Sequence, residues 1–147
     1  MRESNTPPTR DRLLVVMGAW LDDEDSDVVA VEEVDGRVAV RLRQVTRDFT
    51  TVWCDPRERT LRLEAYVLPA PSTSREAVYR LLLRYNAGLR DAAFALDEEG
   101  AVVLVARLWA EDVGEDRLQL VFGELWEGVE RAFRPLARIG FERETSA

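Results

Sequence analysis

Residues 28–43 read VVAVEEVDGRVAVRLR, and this stretch decides the fold class. Asp35-Gly36 stands between two apolar runs. An Asp-Gly pair in that setting signals a two-residue type I′ turn, because both central residues need positive φ. Val28–Val34 and Arg37–Arg43 are therefore expected to fold back as an antiparallel hairpin. In the second arm Val38, Val40 and Leu42 alternate with Arg37, Ala39, Arg41 and Arg43. Alternation with period two buries one face of a strand and wets the other.

The pattern extends outward from this hairpin. Phe49–Cys54 reads as a third strand, residues 55–59 as a turn, and Thr60–Leu68 as a fourth strand. In the fourth, Leu61, Leu63, Ala65 and Val67 share one face, and Arg62, Glu64 and Tyr66 the other. Pro69 and Pro71 stop it. Asp91–Leu96 and Ala101–Trp109 flank a turn at residues 97–100 and make a second hairpin.

Three helices complete the list. The first is expected from Pro8 to Leu21, with Leu13, Leu14, Met17 and Leu21 at helical spacing and Val16 and Trp20 beside them. The second follows a capping box, with Thr73 as N-cap and Glu76 at N3. It runs to about Ala87, with Gly88 placed to cap its C-terminus. The third follows a cap-like pair, Asp112 and Glu115, and runs to about Ile139. Leu118, Phe122, Leu125, Val129, Phe133 and Leu136 line its apolar stripe, and Pro135 is expected to kink or shorten the last turn. The order is α-β-β-β-β-α-β-β-α, with strands in consecutive hairpins. That predicts an α+β fold, an antiparallel sheet with helices packed on it. One domain is expected over residues 9–141, with a disordered tail at residues 1–8 and a further tail at residues 142–147.

Composition narrows the function. The 147 residues carry a net charge of −8, and all 20 basic residues are arginine. The absence of lysine, with abundant Ala, Val and Leu, points to a GC-rich bacterial genome. The negative balance argues against a nucleic-acid partner, since phosphate binding rests on cationic side chains. It also argues against attraction to an anionic membrane surface. No apolar run approaches the ~18 residues of a membrane span, and no signal peptide is read, so a cytoplasmic location is expected. The acidic run at residues 22–27 reads as a solvated loop. Its residues miss the glycine and terminal glutamate offsets of a calcium loop.

The sequence contains no histidine and one cysteine, Cys54. Ser-His-Asp and Cys-His arrangements are excluded, as are zinc sites built on Cys and His. Cys54 shares the parity of Val52 and reads as a small core residue. No phosphate-binding glycine pattern occurs. No catalytic, metal-binding or cofactor-binding residue is assigned, no cofactor is expected, and the chain is not expected to be an enzyme.

The features left over concern surfaces. In the second helix Val78, Leu81, Leu82, Tyr85 and Leu89 form one apolar stripe, while Tyr79 and Leu83 extend it to a second side. One stripe satisfies one sheet, so the second side needs another cover. Ala101–Trp109 is apolar on both faces. Among the tryptophans, Trp20, Trp53, Trp109 and Trp126, Trp109 ends that strand and is the best interface candidate. Tyr79, Leu83 and Trp109 are the candidate protein-interface residues, and a homodimer is expected.

Residues 77–141 also carry a family resemblance. Leu81-Leu82-Leu83-Arg84-Tyr85-Asn86, a leucine-rich helix ending near an Asn, is followed by Phe94-Ala95-Leu96-Asp97-Glu98-Glu99-Gly100, a strand entering a Gly-containing hairpin. An apolar strand, an acidic turn and a helix ending near Ala132-Phe133 come next. This pattern resembles the YbjN family, whose fold is similar to that of the type III secretion chaperones. The N-terminal half matches in element pattern alone. The resemblance implies a compact α/β fold, often dimeric, no enzymatic activity, and a regulatory role in bacteria. The chaperone kinship implies binding to segments of other proteins. Nothing in the sequence points to a secretion system. The alternative reading is a small-molecule-sensing domain with a pocket between sheet and helix.

Overall fold

The computed structural model describes residues 7–141. Of the tail expected at residues 1–8, residues 1–6 lie outside the described residues, as does the tail expected at residues 142–147; Pro8 is instead the N-cap of α1, its carbonyl accepting the Arg12 N–H. The elements run α1 (Thr9–Asp22), β1 (Val28–Val34), β2 (Arg37–Arg43), β3 (Phe49–Pro56), β4 (Thr60–Leu68), α2 (Arg75–Asn86), β5 (Ala92–Leu96), β6 (Val102–Trp109), a 3₁₀ turn (Ala110–Asp112) and α3 (Glu115–Phe141). The expected α+β order is the observed one.

The strands form one antiparallel sheet in the order β1-β2-β3-β4-β6-β5. The opening hairpin turns as its sequence demands, with Asp35 at φ 50° and Gly36 at φ 82°. The β5–β6 hairpin closes on Asp97. Its carboxylate accepts the N–H groups of Glu99 and Ala101, and Gly100 takes φ 83°.

All three helices pack on one face of the sheet. Val38, Val40 and Leu42 of β2, Val52 and Cys54 of β3, Leu61, Leu63 and Ala65 of β4, and Val102, Leu104 and Ala106 of β6 share a single core with them. Alpha-helix α3 supplies Leu118, Val121, Leu125, Val129, Ala132 and Leu136. It lies very close to β6 at Gly128, where a Cβ would stand 2.7 Å from Leu104 Cδ2. A longer side chain there would hold the helix off the sheet. Helix α1 buries Leu13, Val16 and Met17 and reaches α3 through an edge-on contact of Trp20 with Phe122. Leu13, Val16 and Met17 of the expected stripe are buried and Trp20 packs on the core, but Leu14 is half-buried and Leu21 exposed.

Local end signals behaved differently from the core pattern. Ser74, not Thr73, is the N-cap of α2; it sits at φ 52°, and no side chain caps the helix. The N–H groups of Ser72 and Thr73 both donate to the Gly140 carbonyl at 3.1 Å, so the approach of α3 replaces the capping box. Gly88 does not take the left-handed conformation, and α2 ends at Asn86. Asp112 lies in the 3₁₀ turn, and Leu118 N–H donates to Gly114, so Asp112 does not cap α3. Pro135 lies inside α3, which continues six residues beyond it to Phe141. Its missing N–H removes one helical bond. Leu136 and Gly140, both buried beyond it, hold the last turns in register.

Two glutamates of α3 fasten loops to the helical layer. Glu124 accepts the N–H groups of Arg90, Asp91 and Ala92 at the start of β5. Glu130 accepts those of Val45 and Thr46, and the Gln44 side chain, between β2 and β3. Trp126 Nε1 donates to the Arg43 carbonyl at 2.6 Å, beside the second of these loops.

Candidate protein-binding surface

Among the described residues, no helix covers the opposite face of the sheet. Strand parity fixes what points there: Phe49, Thr51 and Trp53 of β3, Arg62, Glu64 and Tyr66 of β4, and Val103, Val105, Arg107 and Trp109 of β6. From β2 come Arg37, Ala39, Arg41 and Arg43.

The surface has two zones. Toward β5 it is aliphatic. Val103 is 2% exposed and Val105 8%, although no helix lies on them. Val103 is flanked by Tyr66 on β4 and Ala95 on β5, and Val105 by Glu64 and Ala93. Toward β2 it is cationic and aromatic. The Arg37 guanidinium lies over the Trp53 ring at 4.5 Å, and that of Arg41 over Phe49 at 5.4 Å. Each is a cation–π contact that holds an exposed arginine near an aromatic ring of this face.

The three interface candidates divide between two surfaces. Trp109, 62% exposed, stands on the helix-free face at the end of β6, opposite Thr60. Leu83, 70% exposed, stands on α2 in the helical layer. Tyr79 is half-buried against the core, so α2 carries less unpartnered apolar surface than its sequence implies. Sequence reasoning passed over Trp53, Tyr66 and Phe49 as a group. Each lies on the wet face of its own strand, and only sheet order brings them together.

Cys54 is buried, and burial pushes its thiol far up. It takes no part in any surface chemistry. Among the described residues, three clefts open in the helical layer. One, of about 360 Å³, lies between the end of α1, the acidic loop and α3, with Trp20, Phe122 and Trp126 in its walls. Another, of about 400 Å³, lies between the end of α2 and α3. The third, of about 530 Å³, lies between α2 and the end of α3 at Ile139. No described helix is long and apolar enough to cross a membrane.

Fold and sequence together now place the chain. A family model, YbjN, "Putative bacterial sensory transduction regulator", matches residues 14–138. This chain belongs to the YbjN family. An uncharacterised Mycobacterium tuberculosis protein is 38% identical over 84 residues, covering 57% of this chain and 46% of that protein. An uncharacterised Mycobacterium leprae protein is 33% identical over 105 residues, covering 71% and 57%. The chain thus matches about half the length of these curated relatives. Among solved structures, Escherichia coli YbjN, described as a putative transcription regulator, superposes with TM-score 0.51 at 17% identity, over 82% of this chain and 87% of that one. The Yersinia pestis type III secretion chaperone SycH, in complex with a fragment of YscM2, gives 0.56 at 20% identity over 82% and 96%. The HopA1-SchA chaperone-effector complex gives 0.59 at 16% identity over 86% and 94%. At these identities the likeness is one of fold, and it bears out the chaperone-like architecture.

Proposed function

We propose that this YbjN-family chain is a non-enzymatic, chaperone-like adaptor that binds segments of other proteins, and that it works as a homodimer in the cytoplasm. The observation that carries the reading is the helix-free face of the sheet, which leaves the rings of Phe49, Tyr66 and Trp109 exposed. Exposed aromatic side chains on an uncovered sheet face have the character of a protein-binding patch. The complexes formed by SycH and SchA, whose fold this chain shares, support the same reading. Leu83, exposed on α2 away from that face, leaves a separate surface for pairing with a second copy.

The test is site-specific photo-crosslinking in the native cell. A photoreactive residue at position 109 is expected to yield adducts with other polypeptides, and one at position 83 adducts with a second copy. Absence of any protein adduct from position 109 sinks the client reading. A monomer mass by light scattering sinks the homodimer.

Small-molecule sensing is the second reading, and the cleft walled by Trp20, Phe122 and Trp126 is what favours it. Thermal-shift screening against a metabolite panel tests it. A flat panel removes it.

A further inference from the structure

The charge on the helix-free face is opposite to that of the molecule. Pointing outward from the strands of this face are Arg37, Arg41, Arg43, Arg62 and Arg107, against Glu32, Asp55 and Glu64. Five cations against three anions give this face a net charge of +2. The chain as a whole is −8, which leaves −10 elsewhere.

The anions of this face are already engaged. Asp55 is already bonded to Arg57 at 2.9 Å, and Glu64 to Arg62 at 3.0 Å. Among the described residues, Arg37, Arg41, Arg43 and Arg107 make no ion pair. What sets this face apart is therefore its sign: it is net positive in a chain with 28 acidic residues, and four of its arginines are free to take a carboxylate from outside.

From this we infer that the helix-free face docks an acidic segment of another protein, one whose carboxylates are interspersed with leucine or aromatic side chains. The inference rests on the adaptor reading and names the chemistry of its client. The guanidinium forks of Arg37 and Arg41, held near Trp53 and Phe49, match carboxylates in two-point contacts. The exposed rings of Phe49, Tyr66 and Trp109 on the same face take the apolar side chains between them. A second copy is a poor occupant, because identical faces would set arginine against arginine. A nucleic acid is disfavoured too. Its phosphates would run past the +2 of this face onto the −10 of the remainder, whereas a short acidic segment stays on the face.

Fluorescence anisotropy on the full chain tests the assignment with three labelled probes. One is a short peptide of Glu and Asp interspersed with Leu and Phe. The second has Lys at every acidic position, and the third is oligothymidylate. The acidic peptide is expected to bind, more weakly as salt rises. Arg37→Gln/Arg41→Gln should weaken it by about tenfold, the equivalent of about 1.4 kcal/mol. Arg37→Glu/Arg41→Glu should reverse the preference toward the Lys peptide. Both pairs are exposed or stacked on the surface, and unchanged thermal unfolding shows that the variants fold. The inference is overturned if the acidic peptide does not bind, if the Lys peptide or the oligonucleotide binds as tightly, or if both variants bind like the parent. A neutral or basic protein crosslinked at position 109 would also overturn it while leaving the adaptor reading intact.

Discussion

The side-chain amide of Asn86, in the last turn of α2, clasps the backbone of Phe94 on β5 through two hydrogen bonds. Asn86 Nδ2 donates to the Phe94 carbonyl at 3.1 Å, and Phe94 N–H donates to Asn86 Oδ1 at 2.6 Å. The amide thus stands where the next strand of the sheet would be. Two residues earlier, the Ala92 N–H is taken by the Glu124 carboxylate at 2.7 Å. An edge strand with free N–H and C=O groups is a template for unwanted pairing. Here the β5 edge is closed from the helical layer, by one side chain of α2 and one of α3.

Replacing Asn86 with Ala removes both bonds at once. Each is worth about 1 kcal/mol net, so the loss is about 2 kcal/mol. Urea unfolding should show it as a lower midpoint, and thermal unfolding as a fall of about 6 °C. The variant should also associate with rising concentration on a sizing column, because the β5 edge is opened. A variant as stable and as monodisperse as the parent would show that the clasp is incidental.

Glu124 and Glu130 give the fold a dependence on acid. Burial works to raise the pKa of Glu124. Hydrogen bonds from the backbone of Ala92, Arg90 and Asp91, with the charge of Arg90, outweigh it and hold the carboxyl below the ordinary glutamate value. Glu130 is likewise raised by burial and lowered further by the N–H groups of Val45 and Thr46 and by the Gln44 side chain. A depressed folded-state pKa stabilises the fold above the unfolded value, about 4.3 for Glu. The contribution is lost as pH falls through the folded value. The urea midpoint of the parent should therefore drop below about pH 4. The Glu124→Gln/Glu130→Gln variant should start lower at neutral pH and show a shallower acid slope. Parallel slopes would remove these two residues from the account.

What could be read in the sequence follows from the range of the forces involved. The hairpin at Asp35-Gly36, the alternation in β2 and β4 and the stripe of α3 are local patterns, and each gave its element to within a few residues. Helix ends were less legible because distant partners decided them. Thr73 has the chemistry of an N-cap, yet the Gly140 carbonyl, 67 positions on, takes its backbone N–H. Asn86 seemed only a family marker until β5 lay beside it. The helix-free face was hidden for a related reason: Trp53, Tyr66 and Trp109 come from β3, β4 and β6, and the β4–β6 neighbourhood exists only in three dimensions. Trp109 and Leu83 were found as exposed, whereas Tyr79 was not, because its ring packs on the core.

Cys54 should be inert in the folded protein. Its thiol is fully buried among β-sheet core residues, and burial pushes its pKa well above the ordinary value. A thiolate is the reactive species, so labelling requires unfolding. Reaction with a disulfide reagent such as Ellman's should be negligible without denaturant and complete, at one thiol per chain, in strong denaturant. Fast native-state labelling would contradict the placement of Cys54 in the core. Its rate under native conditions also reports the free energy of the opening that exposes it.

Arg47 is the centre of a polar network, and the strength of coupling within it can be measured. Its guanidinium lies 4.9 Å from the Phe133 ring of α3, and Nη1 donates to the Val67 carbonyl of β4 at 2.7 Å. Nη2 donates to Thr50 Oγ1 at 2.9 Å. The Thr50 hydroxyl in turn donates to Gln44 Oε1 at 2.9 Å, and Gln44 Nε2 to Glu130 at 2.7 Å. Thr50 and Gln44 are buried, so every unpaired group left behind carries a desolvation cost. Burial lowers the Arg47 pKa, with Tyr66 and Glu130 opposing the shift, but arginine stays protonated and supplies its donors at any working pH. Arg47→Met takes the donors from the Val67 and Tyr66 carbonyls and from Thr50 Oγ1, and should cost about 3 kcal/mol. Arg47→Lys keeps the charge but not the fork, and should recover less than half of that loss. Thr50→Val alone should cost about 1 kcal/mol. If the network acts as a unit, the double variant costs less than the two singles added, by about 1 kcal/mol. Strict additivity in the urea midpoints would mean that Arg47 and Thr50 stabilise the β2–β3 connection separately, despite the short bond between them.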